Sequence, residues 1–260
     1  MRLLYHRNDP VSSDAITEDR LVDLYRHPLP SGGARTLVRS NFVSSLDGSV
    51  QGRDGRSGSI NTSSDQHVFA LQRAHADAIL VGAGTVRAEG YRGVDLADWQ
   101  QQIRTAEGLG SHPTLVIITG SLNLAPDIAT PTDADVGPVA IITVATRDEA
   151  RLDRFRDSGC TVVQQEHARV DLGEALGWLA DQGLRRVLCE GGPSLHQELL
   201  AGNHLDELCL TLAPLVVGGR GMRSTSGEAI EPVQEFDLVH SLYADDGALF
   251  TRYRRRVRTA

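Results

Sequence analysis

The feature that most constrains this 260-residue chain is a regular alternation of short β-branched runs with helical patterns. Seven apolar runs have the length of strands, and they lie at 37–43, 77–82, 114–119, 139–144, 160–164, 185–190 and 207–214. Helical spacing fills four of the intervals between them, at 64–76, 148–158, 171–182 and 193–201. Such alternation is typical of βα units, so we predict an α/β fold with a mainly parallel sheet flanked by helices.

The two ends of the chain differ from this pattern. Residues 235–243 and 248–257 have the pattern of two strands joined by a polar Ala-Asp-Asp-Gly turn, which predicts a hairpin. We therefore expect a C-terminal antiparallel hairpin to close the parallel sheet. Residues 1–36 mix charged residues, proline and glycine, and we predict an N-terminal arm there and a single α/β domain over 37–258.

Composition narrows the class of protein. The net charge of −8 argues against nucleic-acid binding, and the basic run 252–258 is expected to be a strand with a solvated face. Three widely spaced cysteines in or beside apolar runs predict a reduced intracellular protein without disulfides or a metal. No segment approaches the roughly 18 apolar residues of a transmembrane helix, and residues 1–10 are polar and charged where a signal peptide would need an apolar stretch, so we predict a cytoplasmic location away from membranes.

A glycine turn follows the strand at 185–190. Its sequence, Cys-Glu-Gly-Gly-Pro-Ser-Leu over 189–195, leads from an apolar strand into a helix. Pro193 suits the first helical turn, and Gly191 and Gly192 let the backbone approach a ligand closely. Free N–H groups and the helix dipole favour an anion such as a pyrophosphate there. A tight βα turn without a ligand explains the same residues equally well.

A second glycine turn, Val-Gly-Ala-Gly-Thr-Val over 81–86, also follows a strand and opens a helix. Two such turns in one parallel sheet can flank a dinucleotide at the carboxyl edge of the strands. Neither turn matches G-x-G-x-x-G, and no acidic residue stands about 20 positions further on, so a Rossmann dehydrogenase is disfavoured. A third turn, Ser45-Leu46-Asp47-Gly48, ends the first strand of the predicted domain, where Asp-Gly is also a common hairpin signal.

Together these segments resemble the reductase domain of the riboflavin-pathway deaminase–reductase family, whose fold is like that of dihydrofolate reductase. The resemblance is carried by SLDG at 45–48, LQRAHADAILVGAGTV at 71–86, EGGPSL at 190–195 and LDELCLTLAPLVVGG at 205–219. The resemblance covers roughly residues 37–255, and the matching segments occur in the same order as in the family. It implies an NADPH-dependent, cytoplasmic homodimer that transfers hydride to a ribosylamino-pyrimidine, of the 5-amino-6-ribosylamino-uracil phosphate reductase type.

The resemblance also implies roles for individual residues. The residues expected at the cofactor are Ser45, Gly82, Gly84, Thr85, Val86, Glu89, Gly191, Gly192, Pro193, Ser194 and Leu195. Ser57, Arg73 and Glu190 are expected to line the substrate side, with Asp47 near the nicotinamide. Arg147, which follows the strand at 139–144, is a candidate partner for the 2′-phosphate that separates NADPH from NADH, although a lone arginine there can equally be solvated.

The chain departs from the family pattern at two places. It lacks H-x-E and P-C-x-x-C, so it cannot hold the zinc of the deaminase half. After the second glycine turn it continues as Arg-Ala-Glu-Gly-Tyr-Arg-Gly over 87–93, where the family usually has Asp-Asp or Asp-Asn followed by Pro. This variant resembles a stand-alone branch of the family, and such a site can equally admit a pterin such as dihydrofolate.

Hydride chemistry belongs to the nicotinamide, so the protein must mainly align the reactants and exclude water. The proton that reaches the product comes from water or from a carboxyl group, for which Asp47, Asp65 and Glu190 are the catalytic candidates; Asp65 can equally belong to a helix first turn. Two alternative functions stay open, a dihydrofolate or pterin reductase and a non-catalytic NADPH-binding protein. The apolar run 208–217 can be either a dimer interface or an internal strand.

Overall fold

The computed structural model describes residues 1–11, 14–29, 35–125, 128, 136–146 and 148–256. Within these residues, ten strands form one sheet with the order β1-β9-β10-β8-β2-β7-β3-β4-β5-β6. The strands are β1 (Arg2–His6), β2 (Leu37–Ser44), β3 (Ala78–Gly82), β4 (Thr114–Thr119), β5 (Val139–Val144), β6 (Thr161–Gln165), β7 (Arg186–Cys189), β8 (Glu207–Leu212), β9 (Phe236–Tyr243) and β10 (Leu249–Arg255).

Seven α-helices connect and cover these strands. They are α1 (Glu18–Tyr25), α2 (Ser63–Ala74), α3 (Ala83–Glu89), α4 (Asp98–Ala106), α5 (Glu149–Asp157), α6 (Leu172–Asp181) and α7 (Pro193–Ala201), and a 3-10 turn lies at Ser57–Ser59. The sequence pattern predicts α2, α5, α6 and α7, allows one short helix in the N-terminal arm, where α1 lies, and gives α3 only as a helical start. It misses α4. The N-terminus of this helix is held by Gln100, whose side chain accepts from the Ala97 N–H at 2.9 Å. No helix in the described part of the chain is long and apolar enough to cross a membrane.

The sheet has a parallel half and an antiparallel half. Strands β2 to β7 pair in parallel, and β2 also pairs in parallel with β8. Strands β8, β9 and β10 pair antiparallel, with Leu249 opposite Leu212 and opposite Tyr243. The predicted α/β fold, a mainly parallel sheet closed by a C-terminal antiparallel hairpin, is therefore confirmed.

The strands of the parallel half are buried on both faces, as central parallel strands require. Ile79, Val81, Leu115 and Ile117 belong to the core on one side of the sheet, which also contains Phe155 of α5. The core on the other side contains the intervening strand residues together with α6 and α7. All three cysteines are buried and free, and burial raises the pKa of the Cys189 thiol to about 12.

One face of the antiparallel half is only half covered. Leu210, Leu212, Leu249 and Tyr253 are half-buried and belong to none of the core clusters of the described residues. They lie on the same face, because Leu212 is opposite Leu249 and the side chains of each strand alternate.

The N-terminal residues join the domain through strand pairing and through a buried charge cluster. Strand β1 pairs with β9, and α1 packs on the antiparallel half. Arg39 donates to the Tyr25 carbonyl at 2.6 Å, Arg252 donates to the Leu24 carbonyl at 2.6 Å, and both guanidinium groups bind Glu207. Burial alone would raise the pKa of Glu207, but the charges of Arg39 and Arg252 hold it well below its usual value.

The expectation of a solvated basic strand is wrong for Arg252. Its side chain is buried, because β10 lies between β8 and β9 and because Glu207 needs positive charge beside it. The division of the chain into an arm over 1–36 and a domain over 37–258 stays a prediction.

Candidate active site

A cleft of about 800 Å³ opens at the carboxyl end of β2, β3 and β7, the edge where open α/β sheets bind ligands. Many of the residues singled out from the sequence line it: Ser57, Asp65, Arg73, Gly82, Gly84, Thr85, Glu89, Glu190, Gly192, Pro193, Ser194 and Leu195. The structure therefore brings both glycine turns and the expected substrate residues together in one place.

The first glycine turn joins β7 to α7. Gly191 has φ +98°, a conformation that favours glycine, and its carbonyl accepts from the Gly82 N–H at 2.9 Å, which ties the two glycine turns together. The Gly191–Gly192 peptide bond is cis. Gly192 caps α7 without a side-chain hydrogen bond, and Pro193 occupies the first turn. The first N–H groups of α7 therefore have neither a helical acceptor nor a side-chain cap, and the residues of this first turn, Pro193, Ser194 and Leu195, line the cleft.

The second glycine turn joins β3 to the short helix α3, whose N-cap Gly82 also lacks a side-chain hydrogen bond. A Cβ atom on Gly192 would lie 2.7 Å from the Thr85 hydroxyl, so the two turns are in close contact. Behind them a smaller cleft of about 390 Å³ shares Gly82, Gly84, Ser194 and Leu195 with the first and is bordered by Arg87 and Arg169. A long ligand could therefore cross both turns.

Arg73 and Glu190 form an ion pair at the wall of the cleft. The guanidinium donates two bonds of 2.7 Å, from Nε to Oε1 and from Nη2 to Oε2. The Tyr91 hydroxyl donates a third bond of 2.5 Å to Oε2. Burial and the negative charge of Glu190 hold the pKa of Tyr91 well above its usual value, so the phenol keeps its proton. The Glu190 side chain is only 2% exposed, and these donors keep its charge paired.

The guanidinium of Arg73 also lies 4.3 Å from the centre of the Phe69 ring. Phe42, Phe69 and Tyr91 line the cleft together, so its wall is largely aromatic beside this ion pair. On the side of the 3-10 turn, the Ser57 N–H and hydroxyl donate to Glu89 at 3.0 and 3.1 Å. Ser57, which is expected at the substrate, therefore binds Glu89, which is expected at the cofactor.

Asp65 lies at the start of α2, where the Thr62 side chain accepts from its N–H at 3.2 Å. The residue is 3% exposed and lines the cleft, and its Oδ1 atom has no hydrogen-bond partner among the described residues. Burial raises the pKa of Asp65 to about 6, although a hydrogen bond with Thr211 opposes the shift. The neighbouring Asn61 also lines the cleft with an unpartnered Oδ1 atom. A buried carboxylate oxygen without a donor is costly unless a ligand supplies one.

Four of the predicted site residues do not line the cleft. Asp47 accepts from the Gly218 N–H at 2.8 Å and from the Val217 N–H at 3.2 Å, so it anchors a distant loop. The hydrogen bond from Ser45, followed by that from Gly218, lowers the pKa of Asp47 to about 2, which does not suit a proton donor at neutral pH. Val86 belongs to the core and is only 4% exposed, and the Gly191 carbonyl accepts a hydrogen bond from the Gly82 N–H.

Arg147, the candidate for the 2′-phosphate, lies outside the described residues. Sequence reasoning missed Tyr91, Asn61 and the two arginines of the smaller cleft. Tyr91 could have been noticed only as a departure from the family pattern, and Arg87 was visible as the basic residue after the second glycine turn. Among the described residues no group of three or more His, Cys, Asp or Glu side chains could hold a metal ion.

A mainly parallel sheet with an antiparallel hairpin, and a cleft between two glycine turns at its carboxyl edge, define a dihydrofolate-reductase-like α/β fold. Residues 36–250 match the RibD C-terminal domain, and the chain belongs to this family. The predicted family and the prediction of an oxidoreductase are therefore confirmed.

Relatives and solved structures agree with this assignment. The chain is 28% identical over 186 residues to the 2,5-diamino-6-ribosylamino-4(3H)-pyrimidinone 5′-phosphate reductase of Archaeoglobus fulgidus, covering 72% of this chain and 84% of the relative. It is 30% identical over 218 residues to the riboflavin biosynthesis protein RibD of Bacillus amyloliquefaciens, covering 84% of this chain and 56% of that protein. A pyrimidine reductase-like protein from Corynebacterium diphtheriae has the same fold, with a TM-score of 0.77, 24% identity and coverage of 92% and 99% of the two chains.

Membership in this reductase family implies a nicotinamide cofactor. The geometry fits such a group, because the uncapped first turn of α7 lines the cleft and a side chain on Gly192 would fill the space between the two turns. Ser194 and Leu195 would hold its phosphates, and when bound it supplies the hydride.

Proposed function

We propose that this chain is an NADPH-dependent reductase whose substrate carries a 2-amino-4-oxopyrimidine ring, as in 2,5-diamino-6-ribosylamino-4(3H)-pyrimidinone 5′-phosphate. The observation that carries the proposal is the Oδ1 atom of the buried Asp65 carboxylate, which lines the cleft and has no hydrogen-bond partner among the described residues. An ionised carboxylate only accepts hydrogen bonds, and it suits two neighbouring N–H donors. The 2-amino group and the adjacent N3–H of this ring offer such a pair on the edge remote from the sugar.

The same argument separates two pyrimidines of the riboflavin pathway. In the uracil analogue, the edge remote from the sugar has a carbonyl oxygen in place of the 2-amino group, and this oxygen would face the carboxylate of Asp65. Losing one bond to a charged group and adding a repulsion corresponds to about a hundredfold lower kcat/KM for the uracil. The expectation of a uracil phosphate substrate is thus refined toward the 2-amino form.

Other side chains of the cleft would orient the ring and exclude water. Phe42, Phe69 and Tyr91 supply aromatic surface, and the paired Arg73 and Glu190 supply a wall without net charge. With a pKa of about 6, Asp65 is mostly ionised at neutral pH, which suits an acceptor of the ring N–H groups, so the proton that reaches the product comes from water. Glu190 is fully engaged with Arg73 and Tyr91, and Asp47 lies outside the cleft lining.

The choice of NADPH over NADH is supported by Arg87 and Arg169 at the smaller cleft, since an adenosine 2′-phosphate needs cationic partners. Arg87 is already oriented by a bond of 2.9 Å to the Asn123 carbonyl. Thermal-shift titration tests this part, because a ligand of the native state raises the melting temperature. A shift with NADPH at concentrations where NADH gives none supports it, and equal shifts contradict it.

The reductase activity is tested by following NADPH oxidation with three substrates: the 2-amino pyrimidinone phosphate, the uracil analogue and dihydrofolate. Dihydrofolate is the second candidate, because it has the same 2-amino-4-oxo edge and a flat ring system that suits the aromatic wall. Faster turnover of the uracil than of both 2-amino compounds would contradict the assignment of Asp65. Tight NADPH binding without turnover of any of the three would favour a non-catalytic NADPH-binding protein.

We also propose that two copies associate through the half-covered face of β8 and β10. Leu210, Leu212, Leu249 and Tyr253 form an apolar surface there that lies outside the described core clusters. Two of these residues, Leu210 and Leu212, belong to the apolar run 208–217, which supports a role of that run in a dimer interface. The cytoplasmic location stays a prediction.

A further inference from the structure

Residues 222–228 join the cleft to helix α7 without forming a helix or a strand of their own. At one end of this segment, Met222 lines the cleft and is 43% exposed, and its carbonyl accepts from the Val50 N–H at 2.8 Å. Further along, the Ser226 N–H donates to the Pro193 carbonyl at 3.2 Å. The place of the segment beside the cleft therefore depends on its contacts with the elements around it.

A buried side chain of α7 holds the middle of the 222–228 segment. His196 is 1% exposed, and its Nδ1 atom lies 2.9 Å from the Ser224 carbonyl oxygen. Its Nε2 atom lies 3.2 Å from the Ser40 hydroxyl of β2. Burial lowers the pKa of His196, so the ring is neutral at pH 7 and carries one N–H. Because a carbonyl only accepts, Nδ1–H donates to Ser224, and Nε2 accepts from Ser40.

The same helix contacts the wall of the cleft and the far end of the segment. The centre of the His196 ring lies 4.5 Å from the centre of the Phe42 ring, which lines the cleft. The next residue, Gln197, donates to the Glu228 carbonyl at 2.6 Å. The uncapped first turn of α7 is the proposed cofactor contact. One short helix thus links the cofactor site, the aromatic wall and the segment that carries Met222.

We propose that His196 is a positioning residue for the reductase reaction: its Nδ1–H bond holds the 222–228 segment on α7, and Met222 thereby closes the side of the cleft over the substrate. The inference rests on the proposed function, and it adds a residue that acts without lining the cleft itself. A closed side wall excludes water and keeps the reactants aligned, as hydride transfer requires. Loss of the bond should therefore weaken substrate binding more than it slows the chemical step.

Two substitutions at this one position separate the two hydrogen bonds of the ring. His196→Asn keeps an N–H donor near Nδ1 and loses the acceptor, whereas His196→Gln keeps an acceptor near Nε2 and loses the donor. Both remove the ring from its contact with Phe42, so a role in packing alone predicts similar effects of the two changes. Positioning of the segment predicts that only the glutamine variant releases it.

Hydrogen exchange of the full-length protein, followed by NMR, measures this release directly. We expect the Ser226 N–H to exchange about fivefold faster in His196→Gln, because one hydrogen bond fewer holds the segment, and at close to the wild-type rate in His196→Asn. The Thr114 N–H donates to the Asp77 carbonyl at 3.0 Å at the opposite edge of the sheet. It reports global stability, so the difference at Ser226 is measured relative to it.

Steady-state kinetics with the 2-amino pyrimidinone phosphate give the second measurement. His196→Gln should raise KM about fivefold and leave kcat nearly unchanged, and His196→Asn should restore the wild-type KM. Gln197→Ala leaves the His196 ring in place and removes only the bond to the Glu228 carbonyl, so it should also speed exchange at Ser226.

The two histidine variants decide between positioning and packing. Equal effects of both on exchange and on KM, or no effect of His196→Gln, would overturn the proposal. A wild-type protein that reduces no pyrimidine and no dihydrofolate would refute the proposed function, and exchange at Ser226 would still show whether His196 holds the segment.

Discussion

Replacing Asp65 by asparagine should make the protein more stable and less active. The Asp65 side chain is buried, and burial raises its pKa from the ordinary value of 3.8 to about 6. At about 1.36 kcal/mol for each unit of pKa, the difference corresponds to about 3 kcal/mol by which the ionised carboxylate disfavours the folded state at pH 7. A neutral amide of nearly the same shape removes that cost.

The pH dependence follows from the direction of the shift. A carboxyl group whose pKa is raised on folding favours the folded state fully below pH 3.8, and this advantage is lost as the pH rises through about 6. Asp65→Asn should therefore raise the melting temperature by about 5–10 °C at pH 7 and by little at pH 4. Scanning calorimetry at these two values of pH measures both effects.

Asp246, which accepts from the Ser64 N–H at the start of α2, is a control whose pKa is shifted in the opposite direction. Burial would raise its pKa, but hydrogen bonds from the Ser64 N–H and from Thr62 outweigh burial and lower it. Asp246→Asn should accordingly lower the melting temperature at pH 7. The reasoning would be refuted if Asp65→Asn lowered the melting temperature at pH 7, or raised it equally at both values of pH.

The same substitution should reduce activity, because an amide cannot accept two hydrogen bonds in the way a carboxylate does. We expect kcat/KM for the 2-amino substrate to fall about a hundredfold, from the loss of bonds to a charged acceptor. In the wild-type enzyme, kcat/KM should fall as the pH drops below about 6, since protonation of Asp65 removes an acceptor. A stabilised variant with full activity would place the substrate elsewhere.

Three further changes test the site and the assembly. Tyr91→Phe removes the bond of 2.5 Å to Glu190, so it should lower the unfolding free energy by about 1.5–3 kcal/mol and raise KM more than it lowers kcat. Denaturation and steady-state kinetics measure the two effects, and the same change at the exposed Tyr243 should produce neither. Gly192→Ala places a methyl group against the Thr85 hydroxyl and should weaken NADPH binding about tenfold by titration, while Gly177→Ala, which points into open space, should not. Leu210→Glu should convert a dimer to a monomer by light scattering, whereas the same change at exposed Val233 should leave the dimer intact, and a wild-type monomer would contradict the proposed interface.

The sheet could be predicted from the sequence because its strands are local runs of β-branched residues that the helices separate. The two glycine turns were found for the same reason, since each is a contiguous segment. Helix α4 was missed because its polar residues hide the pattern: Gln100 and Arg104 are buried there and bind backbone carbonyls of α2 and its C-terminal extension. Buried polar residues of this kind look like a solvated surface in the sequence.

The roles of the acidic residues could not be predicted from local sequence. Asp47 binds N–H groups that lie 170 and 171 positions away, and Glu190 binds an arginine 117 positions away. Whether a carboxylate is saturated or left without partners depends on such long-range contacts. Only the fold shows that Asp47 is used by a loop, that Glu190 is neutralised, and that Asp65 keeps a free oxygen.

The charge cluster around Glu207 limits how this protein can be engineered. The family match begins at residue 36, which invites expression of the matching segment alone. Arg39 and Arg252, however, donate to carbonyls at the end of α1, so deletion of that helix would leave two guanidinium groups with unfilled donors in a largely apolar setting. A shortened version that starts after α1 should therefore be markedly less stable than the full chain.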